Sequence, residues 1–294
     1  MKEGRINANG LDFTYLEEGS GPLALCVHGF PDSPYSFRHL MPELAKAGYR
    51  AVAPFIRGYA PTAIPENGDY STKTRAADFN ALHEALGGAG DAVLIAHDWG
   101  AVAAYGALAA EPNRWSSAAI MSVPPLAIFG NYVFQYEQIK RSFYFWFFQM
   151  DISEAIVAMD NFAFIDGLWA DWSPGYDASE DLYQVKKCFS NPANLRAAMA
   201  YYRDLFNPSL FGMPDEMEKH AAVWGQPISQ PALYLHGTND GCVALDDAGL
   251  KDVVNYLGVG SKAEWVKDVG HFLVLQKPEE VNQRILQFLK TSKV

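Results

Sequence analysis

The chain is 294 residues long, with 49% hydrophobic and 19% charged residues, a balance that excludes a disordered chain and permits a large buried core. At this length, one α/β body carrying an insertion is a simpler expectation than two independent domains. Its 23 basic and 34 acidic residues give a net charge of −11, too acidic for the positive field that nucleic-acid backbones or anionic membranes need.

The start, Met1-Lys2-Glu3-Gly4-Arg5, lacks the apolar run of about 7 to 15 residues of a secretory leader, and no apolar stretch approaches the roughly 18 of a membrane span. Cys26, Cys188 and Cys242 are widely separated and form no CxxC pair. These features predict a soluble cytoplasmic protein without a disulfide framework or a zinc site. Phe13 and Tyr15 alternate with smaller or polar neighbours after Asn9-Gly10, which predicts an opening hairpin. Next come short apolar runs at Leu23–Val27, Ala51–Ala53, Ala92–Ala96 and Ala118–Met121, the pattern of doubly buried parallel strands. Helical spacing over residues 36–47 and 72–87, and the alanine-rich run 101–110, place helices between them. Such alternation implies a parallel sheet with crossover helices.

The alternation stops after Val123-Pro124-Pro125 and resumes at Pro231. A strand at Ala232–His236, a helix around 244–257, a strand near 263–267 and a helix from Pro278 to about Lys290 complete the chain. Residues 1–125 and 223–294 are therefore expected to form the core domain, and 126–222 an inserted helical domain. These 97 inserted residues hold 21 of the 40 aromatic residues, enough to build an oily helical core and to line an apolar pocket.

In Ala96-His97-Asp98-Trp99-Gly100 a buried strand runs straight into the alanine-rich helix, the setting of a nucleophile elbow with Asp98 at its tip. Taken alone, Asp98 could simply cap the helix. Two further sites favour chemistry. After an earlier strand, His28-Gly29-Phe30-Pro31 can turn a backbone N–H toward the strand ends, so that Phe30 and Trp99 would supply a two-donor oxyanion hole. Later, Gly237-Thr238-Asn239-Asp240 and Asp268-Val269-Gly270-His271 each follow a strand. Asp98, Asp240 and His271 thus occur in the order nucleophile, acid, histidine, each beyond the carboxyl end of a strand. Asp268 is the weaker alternative acid. No pair of the remaining histidines has metal-ligand spacing with a carboxylate, and no phosphate-binding glycine loop occurs, so neither metal nor cofactor is expected.

With these motifs in order, the sequence resembles the α/β-hydrolase superfamily, and within it the epoxide hydrolase branch, over nearly its whole length. The resemblance rests on His28-Gly29-Phe30-Pro31, His97-Asp98-Trp99-Gly100, the Asp240 loop and Gly270-His271-Phe272. It implies an α/β-hydrolase fold, a mostly parallel sheet flanked by helices, with residues 126–222 as a helical cap. Phe143-Tyr144-Phe145 and Tyr201-Tyr202-Arg203 look like the cap segments that supply ring-opening tyrosines, which carries that role onto Tyr144 and Tyr202. Ala96 stands where the elbow usually begins with glycine, Phe55 where relatives usually have Asp, and Ala60 where they usually have glycine.

The residue types specify the reaction. A carboxylate can attack a saturated carbon and form an ester, which His271, held by Asp240, can cleave by activating water. A serine would leave an ether that this machinery could not hydrolyse. Substrates with an electrophilic sp³ carbon follow: epoxides, or alkyl halides if the protein is a haloalkane or haloacid dehalogenase. Phe30 favours the epoxide, because dehalogenases tend to place a polar, halide-holding side chain there. A non-catalytic ligand receptor is the remaining alternative, but a receptor has no need of the intact Asp98, Asp240 and His271. The expectation is an epoxide hydrolase acting on a small apolar epoxide and water, with a homodimer as a possible assembly.

Overall fold

The computed structural model describes residues 1–210 and 212–292. Among the described residues eight strands form one sheet: β1 (Lys2–Ala8), β2 (Leu11–Gly19), β3 (Leu23–Val27), β4 (Arg50–Pro54), β5 (Val93–His97), β6 (Ser117–Met121), β7 (Ala232–Gly237) and β8 (Lys262–Val266). Their spatial order is β1-β2-β4-β3-β5-β6-β7-β8. The pairs β1·β2 and β2·β4 are antiparallel, and every pair from β4 to β8 is parallel. Asn9 and Gly10 adopt φ values of +47° and +71°, the left-handed pair that a tight hairpin turn requires. All residues of β3, β5, β6 and β7 are buried, because helices cover both faces, which is why these strands read as unbroken apolar runs.

The crossover helices are α1 (Leu40–Lys46), α2 (Thr72–Ala85) and α3 (Trp99–Ala110). The helical stretch expected over 36–47 divides into a 3₁₀ turn at Pro34–Phe37 and α1, with Pro34 starting the turn. α3 is buried from Trp99 to Leu108, and its small side chains let it lie close to the sheet. A side chain at Gly100 would strike the carbonyls of Val27 and His28, so α3 can start beside β3 only with glycine there.

Between β6 and β7 the chain runs through α4 (Leu126–Phe129), α5 (Tyr136–Arg141), α6 (Phe143–Phe147), α7 (Ser153–Trp172), α8 (Ser179–Cys188), α9 (Pro192–Leu205) and α10 (Pro214–Ala221). α7 is broken at Met159–Phe162, where Asp160, Asn161 and Phe162 take left-handed φ values. The closing helices are α11 (Asp247–Val253), α12 (Leu273–Gln276) and α13 (Pro278–Thr291). α11 starts later than the residues 244–257 suggested, because Asp246 accepts the Gly249 N–H at 2.8 Å and fixes the N-terminus. Among the described residues no helix is long and apolar enough to cross a membrane.

Candidate active site

Four loops leave the carboxyl ends of parallel strands and converge: residues 28–31 after β3, 98–99 after β5, 238–243 after β7 and 267–271 after β8. Asp98 stands at the tip of the β5–α3 turn with φ +53° and ψ −122°, a conformation that non-glycine residues rarely hold. Its carboxylate makes no cap to the helix. Instead the Phe30 N–H donates to Oδ1 at 2.7 Å, and Oδ2 lies 3.4 Å from His271 Nε2. Gly29 makes this approach possible, since a side chain there would collide with Asp98 Oδ1 and the Trp99 nitrogen. Trp99 opens α3, with its N–H among the free donors of the helix N-terminus.

His271 is completely buried, and its Nδ1 lies 3.0 Å from Asp240 Oδ2. The other Asp240 oxygen accepts the N–H groups of Cys242 at 2.7 Å and Val243 at 3.0 Å. The loop thereby locks the carboxylate with one oxygen free for the imidazole. Asp268, the alternative acid, is exposed on the surface, and the structure brings it into no contact with His271. Burial opposes charge on the His271 ring, but Asp240 and Asp98 overcome this and push its pKa up to about 10. Burial likewise disfavours both carboxylates. His271 and His97 with the Phe30 N–H nevertheless hold Asp98 below the usual range, and His271 and His236 do so for Asp240.

Tyr144 on α6 and Tyr202 on α9 are buried against each other, ring centroids 5.3 Å apart. Tyr202 also packs edge-on against Trp99 at 4.8 Å and Phe30 at 5.2 Å. Both tyrosines line a small cavity that reaches Asp98, with room for about 30 Å³, on the scale of one or two waters. Burial, with Asp98 and Cys242 adding to it, pushes both phenols well above their ordinary pKa, so each keeps its proton.

Several supporting contacts carry no sequence motif. The His271 carbonyl accepts Ser122 Oγ at 2.8 Å and His97 Nε2 at 2.9 Å, and these two contacts fix the loop that carries the ring. The carbonyl of Trp172, at the end of α7, accepts the N–H groups of both Gly241 at 3.2 Å and His271 at 2.9 Å, so one orphan helix carbonyl ties the two loops together. Trp169, one turn earlier, donates Nε1–H to the Pro31 carbonyl at 2.8 Å and stacks on Phe272 at 3.5 Å. Below the elbow, buried Arg75 lies 4.4 Å from the Trp99 ring and 4.3 Å from Tyr201. Cys242 faces the cavity, its Sγ 3.4 Å from the Tyr144 hydroxyl.

This arrangement can attack, stabilise an oxyanion, and supply both protonated phenols and an oriented imidazole. A sequence-family model described as alpha/beta hydrolase fold matches residues 22–157. The chain is 29% identical to an epoxide hydrolase of Caballeronia sordidicola, covering 99% of this chain and 94% of that one. It is 28% identical to epoxide hydrolase 4 of Homo sapiens, covering 97% of this chain and 78% of that protein. Among solved structures, a mutant of an epoxide hydrolase from Bacillus megaterium superposes with a TM-score of 0.85 at 25% identity, covering 98% of this chain and 100% of that one.

Proposed function

Given that the chain belongs to the α/β-hydrolase superfamily, we propose that it is an epoxide hydrolase, with Asp98 as nucleophile, His271 as base, Asp240 as its orienting acid and Tyr144 and Tyr202 as ring-opening acids. The observation that carries this reading is the pair of buried, proton-bearing phenols lining the same cavity as an elbow carboxylate. An epoxide oxygen leaves as an alkoxide and needs such donors, whereas a halide does not.

In the first half-reaction Asp98 Oδ2 attacks an epoxide carbon, the C–O bond breaks, and the oxygen takes a proton from Tyr144 or Tyr202. Oδ1, already hydrogen-bonded to the Phe30 N–H, becomes the ester carbonyl oxygen. The oxyanion hole of Phe30 and Trp99 N–H groups is then in place before the second step. Ester formation also removes the negative charge that Asp98 presents to His271. With one of its two anionic neighbours gone, the imidazolium becomes easier to deprotonate, so the ring turns into a base when water must be activated. The proton that the imidazolium gives up restores the tyrosinate, and the neutral His271 ring then takes a proton from the attacking water. The Phe30 and Trp99 N–H groups hold the developing oxyanion, and the diol leaves with Asp98, the phenol and the His271 imidazolium restored. The helices between β6 and β7 act as a cap, excluding bulk water and presenting the phenols.

The test is to give purified protein an aryl epoxide and a bromoalkane in parallel. Diol without bromide is expected, and bromide without diol would reverse the assignment to a dehalogenase. His271→Gln should stop at the ester, so its intact mass rises by one substrate mass. Asp98→Ala should show neither adduct nor turnover.

A further inference from the structure

We propose that Asp98, Cys242 and His271 together form a binding site for a thiophilic divalent cation, Zn²⁺ above all, and that its occupancy blocks the nucleophile. One ligand atom from each residue, a carboxylate oxygen, a thiol sulfur and an imidazole nitrogen, lies within 4.8 Å of the other two, and all three residues are buried. Donor atoms around tetrahedral zinc are about 3.3–3.7 Å apart, given zinc–ligand bonds of roughly 2.0–2.3 Å. Asp98 Oδ2 and His271 Nε2, at 3.4 Å, already stand at that separation. His271 Nε2 is buried and has no well-aligned hydrogen-bond partner, so an atom able to ligate is aimed into the cluster.

Cys242 makes this more than a pair of catalytic groups. It follows Asp240 by two residues, and the same carboxylate that orients His271 accepts the Cys242 N–H. Its carbonyl accepts Gln138 Nε2 at 2.9 Å, so α5 also holds the backbone in place. The other two cysteines are buried elsewhere, and the Cys26 thiol donates to the Ala24 carbonyl. When Zn²⁺ enters, the Cys242 thiol and the His271 Nε2–H each release a proton to water, and the carboxylate and thiolate neutralise the two positive charges. A neutral cluster is the arrangement that a buried site tolerates. Sulfur and imidazole donors select zinc over magnesium or calcium, which prefer oxygen. The histidines alone showed no metal spacing along the chain because the third donor comes from a separate loop.

Zinc chloride is titrated into the parent and into Cys242→Ser and Cys242→Ala, in buffer free of thiols and of other chelators, with a chromophoric chelator competing for the metal and reporting what the protein leaves unbound. The parent should bind one zinc that is lost or weakened on the order of 100-fold in both variants, at least the upper end of what an outer-shell partner is worth. Cobalt(II) should give a thiolate-to-metal absorption in the parent and none in the variants. These readings need no turnover, so they stand apart from the assigned reaction. With an epoxide as substrate, zinc should inhibit competitively, and each variant, measured against its own zinc-free rate, should resist. Equal zinc binding by parent and variants, no thiolate–cobalt absorption in the parent, or full turnover with the zinc bound would overturn the proposal.

Discussion

Asp98, Asp240 and His271 sit on turns fixed by hydrogen bonds at the ends of a parallel sheet, whereas the rings of Tyr144 and Tyr202 are bounded chiefly by other aromatic rings. On the sheet side the positioning contacts are short and directional: the Phe30 N–H to Asp98, two loop N–H groups to Asp240, and two donors to the His271 carbonyl. On the helix side Tyr202 is surrounded by Trp99, Phe30, Phe145 and Phe148 at ring-centroid distances of about 5 Å. Directional bonds define an atom's place; apolar packing defines a volume and tolerates adjustment. On the proposed mechanism, the side that would form and cleave the ester is therefore built rigidly, and the side that would meet different substrates is built from adaptable surface. α7 joins them, because its Trp172 carbonyl binds both the Asp240 and His271 loops.

If the helix side contributes chemistry as well as shape, its two phenols must matter. Tyr144→Phe or Tyr202→Phe alone should leave a partly working donor pair. The double variant should lose roughly 10²- to 10⁴-fold in the rate of ester formation, the usual range for general-acid assistance. Ester cleavage, which uses only His271 and the backbone donors, should change little. Rapid-mixing kinetics separate the two steps. A folded double variant that opens epoxides at the parent rate would make these tyrosines packing residues.

On the sheet side Asp240→Asn removes the charge that holds the His271 imidazolium. Ester cleavage should slow by about 10²-fold and ester formation by much less, because only cleavage needs His271 to take a proton. A larger loss in the first step than in the second would move the orienting role away from Asp240. The variant should also lower the His271 pKa.

The same difference between the two sides governs what could be read from sequence. Asp98 and Asp240 follow strands of five and six buried residues, and such a run marks its own end, whereas His271 follows a strand in which only Val266 is buried and was legible through the order of the three residues along the chain. β8 is the edge strand, partly exposed, and its limits were correspondingly the least marked. Tyr144 and Tyr202 were legible only through resemblance, because six aromatic residues in succession from Phe143 to Phe148 do not say which ring faces the cavity. The contacts that steady His271 are invisible in a local reading: Ser122 is 149 residues and His97 174 residues away along the chain. Arg75 under Trp99 and Cys242 beside Tyr144 likewise depend on elements that meet only in the folded chain.

A change in charge alone tests the coupling within the rigid side. His271 has its pKa pushed up to about 10, so the stability its charge contributes is fully present below its unfolded value of about 6.5 and is lost as pH rises through about 10. Asp98→Asn keeps the shape of the side chain but deletes one anion beside the ring. The His271 pKa in this variant, followed by NMR of the labelled imidazole, should fall relative to the parent. The alkaline limb of the stability curve should move to lower pH with it. An unchanged value would mean that Asp240 alone sustains the charge, and ester formation on Asp98 would then not turn His271 into a base.

The smallest effect is expected where the adaptable side meets substrate bulk. The cavity at Asp98 and a neighbouring one of about 100 Å³ share Phe129, Leu205, Phe206 and Trp224, and Phe134 and Met217 line the outer one. The inner space is too small for an aryl group, and if larger epoxides extend into the outer space they do so across this shared wall. Leu205 is the side chain in that wall whose truncation removes no ring and no hydrogen bond. Leu205→Ala should cost about 2–5 kcal/mol of stability, as core truncations do, while widening the passage. One methylene gained or lost in an apolar pocket alters selectivity by about 10- to 200-fold, and a partial opening at its wall should fall at the low end. The kcat/KM ratio of styrene-type to short aliphatic epoxides should therefore rise by up to about tenfold in Leu205→Ala, carried by KM. A ratio that stays constant while stability falls would show that bulky substrates reach Asp98 by another route, and that the packed wall is core rather than passage.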